Sequence, residues 1–178
     1  MTPAALRMLA MAAFAMATLA APIAGADAPG VAPTLAAVAR FDPSRDAARD
    51  VADAVAAAKA SGRRVLVDVG GEWCIWCHRL DAFFAHDDEA RALRDRHYVQ
   101  VKVNWSPENH NTAVLSRWPA IDGYPHYFVL DGDGALVRSQ STDALEKGHG
   151  YDRAKVMAFL ARYAAPAGAK AVSAALPR

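Results

Sequence analysis

The sequence predicts an α/β domain: one mixed sheet with helices on both faces, in the order α-β-α-β-α-β-β-α. Three observations carry this. Val65–Val69 and Tyr98–Asn104 are Val-rich runs separated by helical sequence, as parallel strands joined by a crossover require. Tyr127–Leu130 and Ala135–Ser139 flank Asp131-Gly132-Asp133-Gly134, a hairpin signal that fixes an antiparallel pair. Helical segments precede, separate and follow these strands, so both faces of one sheet have a cover.

Taken in order, Arg45–Ala60 is the first helix. Ala48, Val51, Val55 and Ala58 share a face, and Gly62 stops it. Val65–Val69 is too short for a helix and apolar enough for a central strand. A second helix begins near Cys74 and passes Leu80 and Phe84. A third covers Asp88–Arg96, with Asp87 as its cap. Tyr98–Asn104 alternates, with Val99, Val101 and Val103 on one face and Gln100, Lys102 and Asn104 on the other. A polar loop over Asn104–Thr112 leads to a short helix, Ala113–Trp118. The hairpin follows, and Asp152–Tyr163 closes the domain as a helix capped by Asp152, with Val156, Phe159, Leu160 and Tyr163 on its apolar face. There is no internal repeat.

The flanks differ from the domain. Residues 1–26 hold one charged side chain, Arg7, and the apolar run Met8–Ala21 is 14 residues long, shorter than a spanning helix needs. Pro22 and Gly25 end it, and Ala24-Gly25-Ala26 presents small residues where a signal peptidase reads them. This is the pattern of a cleaved secretory signal, with the cut after Ala26 and no stable membrane insertion afterwards. Residues 27–44, with Pro29, Pro33 and Pro43, read as an Ala/Pro-rich linker with a weak edge-strand signal at Val38–Phe41. The domain is expected over 45–163 and a mobile tail over 164–178.

The chain has 178 residues, 53% of them hydrophobic and 22% charged, which suits one packed domain. Its net charge is +1, and removal of Arg7 with the signal brings this to zero, so no nucleic-acid partner is expected. There are two cysteines, too few for a disulfide-stapled miniprotein or a Cys-only metal centre within one chain. In an extracytoplasmic compartment, where disulfides persist, a pair spaced as Cys74 and Cys77 is expected to do chemistry.

Gly71-Glu72-Trp73-Cys74-Ile75-Trp76-Cys77-His78 directly follows the first strand and opens a helix. A helix N-terminus offers unpaired N–H groups and a positive dipole end, which favour a thiolate. Two cysteines at i and i+3 on that turn can close a disulfide. The first is then the exposed attacking sulfur, and the second, a turn inside, resolves the mixed disulfide. Cys74 is therefore the expected nucleophile and Cys77 the resolving thiol.

These residues resemble the thioredoxin superfamily. The resemblance rests on Val65-Leu66-Val67-Asp68-Val69, on Glu72-Trp73-Cys74 with Cys77, and on Gly123-Tyr124-Pro125 ahead of a strand and a glycine-bearing hairpin. It spans about residues 45–163. It implies a thioredoxin-like mixed sheet and a protein disulfide oxidoreductase without a cofactor. It implies that Pro125 is cis and lies against the cysteines, and that the Tyr124 backbone pairs with an extended substrate, with Trp73 also on the substrate side. It implies that Asp68, six residues before Cys74, is buried beneath the pair and moves a proton to or from the resolving thiol; burial there would raise its pKa. The plain alternatives are a strand-entry proline and a solvent-facing aspartate. Ile75-Trp76 replaces the Gly-Pro of thioredoxin proper and His78 stands where lysine is commoner, so the motif looks more like a secreted branch that includes periplasmic reductase domains. That branch implies a periplasmic monomer, a reductase rather than an oxidase, acting on protein disulfides with another dithiol protein as electron partner.

Two other readings share the motif. Cys74-Ile75-Trp76-Cys77-His78 is a c-type haem attachment sequence, but a Val-rich strand leads into it, Trp73 and Trp76 would crowd a macrocycle, and Met157 is the only methionine beyond the signal. Cys74, Cys77 and His78, with His126 near, could hold a soft metal such as copper. Other features are bland. His78 is a surface histidine unless it aids the Cys74 thiolate. His86, His97, His110 and His149 lie on the surface or in loops. Trp105 and Trp118 are anchors, Asp131–Gly134 is a turn and not a calcium loop, and Arg91, Arg94 and Arg96 form a solvated helix face.

Overall fold

A computed structural model describes residues 40–166. The expected signal, most of the expected linker and most of the expected tail lie outside the described residues. Among the described residues no helix is long and apolar enough to cross a membrane.

Four strands form one sheet in the order β2-β1-β3-β4. They are β1 (Arg64–Gly70), β2 (Tyr98–Asn104), β3 (His126–Leu130) and β4 (Leu136–Ser141). β1 runs parallel to β2, with Asp68 beside Lys102, and antiparallel to β3, with Asp68 opposite Tyr127. β3 and β4 are antiparallel, with a register shift at Val129/Leu130. The Asp131 side chain closes their turn by accepting from the amides of Asp133 and Ala135, and Gly134 takes the left-handed φ of 84° that the turn needs.

Helix α1 (Ala47–Ser61) is capped by Asp46 and stopped by Gly62 at φ 67°. It packs Ala47, Val51, Ala54 and Ala58 against Val65, Val67, Val69, Val99, Val101, Val103, Phe128 and Leu130. α2 (Ile75–His86), α3 (Asp88–His97) and α5 (Arg153–Arg162) cover the other face, around Leu66, Leu80, Phe84, Tyr98, Tyr127, Val129, Val156, Phe159 and Leu160. The period of two thus divides β1 cleanly: Val65, Val67 and Val69 face α1, while Leu66, Asp68 and Gly70 face α2.

Several elements differ from expectation. Arg40 and Phe41 are not in a strand, and Phe41 is 2% exposed, inserted in the core rather than part of a linker. The short helix, α4, spans only Thr112–Leu115. β4 is followed by a 3₁₀ turn (Thr142–Leu145) and a small hairpin, β5 (Glu146–Lys147) with β6 (Gly150–Tyr151), none of which periodicity revealed. The polar face of β2 is covered, so Lys102 and Asn104 are buried. Arg94 does not belong to a solvated face: its side chain is 15% exposed and its guanidinium lies 4.5 Å from the centre of the Phe84 ring.

Candidate active site

β1 delivers the chain to Gly70-Gly71, and both positions need glycine. A Cβ on Gly70 would overlap Cys77 Sγ, and one on Gly71 would overlap the Trp73 indole nitrogen. The Trp105 amide donates to the Gly70 carbonyl at 2.6 Å, and Trp73 Nε1 donates to the Trp105 carbonyl at 2.8 Å. This sets the tight turn into α2. Cys74 is the N-cap of α2, and its Sγ accepts from the Cys77 amide at 3.1 Å. The first turn of α2 therefore directs an N–H group at the sulfur, which stabilises a thiolate when the pair is reduced. Here the two cysteines form a disulfide, with their Cα atoms 5.2 Å apart.

Neither sulfur-bearing residue is open. Cys74 is 4% exposed and Cys77 2%, whereas the sequence placed the first at the surface. Phe41, Trp76 and Tyr124 pack against the pair. The exposed groups are instead the neighbours, Trp73 and Ile75, both more than half exposed. Tyr124 and Pro125 are joined by a cis peptide bond. The Tyr124 ring meets Trp73 edge-on at 5.6 Å and stacks on Trp105 at 5.1 Å, and His110 stacks on Trp105 at 4.8 Å. Trp105, expected to be a mere anchor, thus belongs to the site.

Asp68 is 2% exposed and shares the α2 face of β1 with Gly70, two residues on, against which Cys77 Sγ lies. Burial pushes its carboxyl up to about 7, with Lys102 opposing the shift and Asp81 adding to it. Lys102 Nζ is 3.9 Å from Asp68 but grips both oxygens of Asp81, at 2.5 and 2.6 Å. Gln100 donates to Asp68 Oδ2 at 3.3 Å, while Oδ1 has no hydrogen-bond partner. Lys102 Nζ also lies 4.3 Å from the centre of the Phe41 ring. A buried carboxyl with a second, better-paired carboxyl competing for its cation can hold or release a proton near neutral pH.

The histidines lie elsewhere. His78 is exposed, and its Nε2 is 2.8 Å from the Glu72 carbonyl. His126 turns to Ser139 on β4, 2.8 Å from its hydroxyl. Met157 packs against the α2-side core. The sequence therefore marked Asp68, Trp73, Cys74, Cys77, Tyr124 and Pro125. It did not mark Phe41, Gly70, Asp81, Lys102 or Trp105. Two signals for these were a lysine among the valines of β2 and a tryptophan directly after that strand.

A four-strand mixed sheet with helices on both faces, and a Cys-x-x-Cys pair capping the helix after its central parallel strand, make a thioredoxin-like fold. Comparison with known proteins agrees: residues 46–132 match a family described as thioredoxin-like. A disulphide isomerase from Xylella fastidiosa Temecula1 superposes with a TM-score of 0.60 at 25% identity, covering 68% of this chain and 94% of that one. The oxidised C-terminal domain of DsbD from Neisseria meningitidis gives a TM-score of 0.49 at 23% identity, covering 70% and 96%. The thiol:disulfide interchange protein DsbD of Colwellia psychrerythraea is 25% identical over 96 residues, which are 53% of this chain and 16% of that protein's length.

Proposed function

We propose that this protein is an extracytoplasmic, periplasmic thiol–disulfide oxidoreductase working as a reductase. The observation that carries the reading is the Cys74–Cys77 disulfide at the N-cap of α2, with Cys74 Sγ accepting an amide of the first turn. In the reduced protein the Cys74 thiolate attacks a substrate disulfide. One substrate sulfur becomes bonded to Cys74 and the other leaves as a thiol. Cys77 then gives up its proton, for which Asp68 is the acceptor, and attacks Cys74 Sγ. The substrate is released with both thiols, and two electrons have passed from the dithiol to it. A second dithiol protein restores the reduced pair by the reverse exchange. Tyr124, next to Pro125, presents its backbone to an extended substrate segment, and Trp73 forms the exposed wall beside it. The apolar leader of residues 1–26 supports export, and the named likeness to an interchange protein and a disulphide isomerase supports the chemistry.

The test is insulin reduction by the purified mature protein with a dithiol donor. Cys74→Ser should abolish turnover, and Cys77→Ser should accumulate mixed disulfides with substrate. Full activity in Cys74→Ser would refute the assignment.

A further inference from the structure

The hydrogen bonds that join the two walls of the cysteine cleft come from a segment that carries no cysteine chemistry. Thr142 opens the 3₁₀ turn after β4 and is 1% exposed. Its hydroxyl donates to the Pro125 carbonyl at 2.6 Å. Tyr151 ends β6, and its hydroxyl lies 3.5 Å from Thr142 Oγ1 and donates to the Trp76 carbonyl at 3.3 Å. The same ring meets Trp76 edge-on, with centroids 5.9 Å apart, while the Arg79 guanidinium covers Trp76 at 4.4 Å. Trp76 is one of the two residues between the cysteines, and Pro125 heads the opposite wall. Beside that wall a cavity of about 120 Å³ is lined by Tyr124, Pro125, Ser141, Thr142 and Glu146, among others. Thr142 and Tyr151 therefore tie one segment to both walls, Thr142 through the Pro125 carbonyl and Tyr151 through the Trp76 carbonyl.

We propose that Thr142 and Tyr151 are positioning residues for exchange with protein substrates, holding the Pro125 loop at a fixed distance from the Cys-x-x-Cys turn. A segment paired with the Tyr124 backbone then brings its own sulfur to Cys74. The two hydroxyls act through the carbonyls of Pro125 and Trp76 and not on the sulfurs. The proposal rests on the oxidoreductase reading above and names what makes that site fit a polypeptide rather than a small thiol.

The experiment uses Thr142→Val, which keeps the shape of the side chain, Thr142→Ser, which keeps the hydroxyl, and Tyr151→Phe, which keeps the ring. Loss of one such hydrogen bond is expected to raise KM for insulin about two- to tenfold, with kcat little changed. The equilibrium of the cysteine pair with glutathione should stay within about twofold of the parent, because a small thiol does not use the Pro125 wall. Thr142→Ser should restore KM, and the Thr142→Val/Tyr151→Phe double variant should be no worse than the poorer single variant, since losing either tie already frees one wall from the other. Independently of turnover, amide exchange at Tyr124 and His126 should quicken in Thr142→Val. Unchanged amide exchange there, a parent-like KM, or an equal change in the glutathione equilibrium would overturn the proposal. Failure of the parent protein to reduce insulin would instead strike the oxidoreductase reading, and the exchange measurement would still judge the clamp.

Discussion

A carboxyl removed from water keeps its proton to higher pH, and Asp68, held up to about 7, is placed where that matters. Its folded pKa exceeds that of an unfolded aspartate, so the neutral form stabilises the fold. That contribution is complete below about pH 4 and is lost as pH rises through 7; it amounts to about 4 kcal/mol at most. Asp68→Asn should therefore flatten the dependence of urea stability on pH across that window. It should also slow resolution of the mixed disulfide by on the order of a hundredfold near neutral pH, read by stopped-flow with a protein substrate. Asp81→Asn tests the surroundings: Asp81 raises Asp68 and binds its cation, so removing its charge should move the Asp68 titration to lower pH, followed by carboxyl NMR. A second point concerns Gly70. An alanine there would drive its methyl into Cys77 Sγ, and Gly70→Ala should cost about 1–3 kcal/mol, measured by chemical denaturation. The cysteines and Asp68 were legible because the motif and its spacing are local. Lys102 was not, because its partners come from α2 and from Phe41, and only the fold brings them together.

Among the elements, Asp87 serves two helices. Its amide ends α2 by donating to the Phe83 carbonyl, and its side chain opens α3 by accepting from the Ala90 amide and from Arg153. The Ala90 bond, followed by the Arg153 pairing, holds its carboxyl below the usual range. A lowered carboxylate stabilises the fold above its unfolded pKa and loses that effect as pH falls through the folded value. Asp87→Ala should thus lower the thermal midpoint at neutral pH and make little difference in strong acid. The two helices, α1, α5 and the four long strands could be read from sequence because each has a period, an apolar run, or a capping or turn residue. The β5–β6 hairpin could not: its strands are two residues each, joined through Gly148 at φ 60°, and two residues carry no period. Yet this hairpin holds Trp76 through Tyr151, so the least legible element touches the most legible motif.

For the whole molecule, stability resides in two cores on opposite faces of the sheet rather than in the disulfide. The bond closes a loop with a sequence separation of only 3. Chain entropy for so short a loop gives about 2 kcal/mol at most. Reduction should therefore leave a cooperative unfolding transition with a modestly lower midpoint, measured by calorimetry with and without a dithiol. Leu160, fully buried on the core-facing side of α5, should matter more: Leu160→Ala should cost about 2–5 kcal/mol. In the proposed reaction the bond opens and closes at every turnover, and such a division leaves the scaffold intact.

The aromatic row beside the cysteines has an optical consequence. Trp73 adjoins Cys74 in the chain, is linked through its indole N–H to Trp105, and both rings contact Tyr124, which packs against the disulfide. A disulfide takes an electron from an excited indole in its neighbourhood, whereas a dithiol does so far less readily. The oxidised protein should be dim and the reduced protein brighter, so each turnover carries its own emission signal and the exchange can be timed without a label.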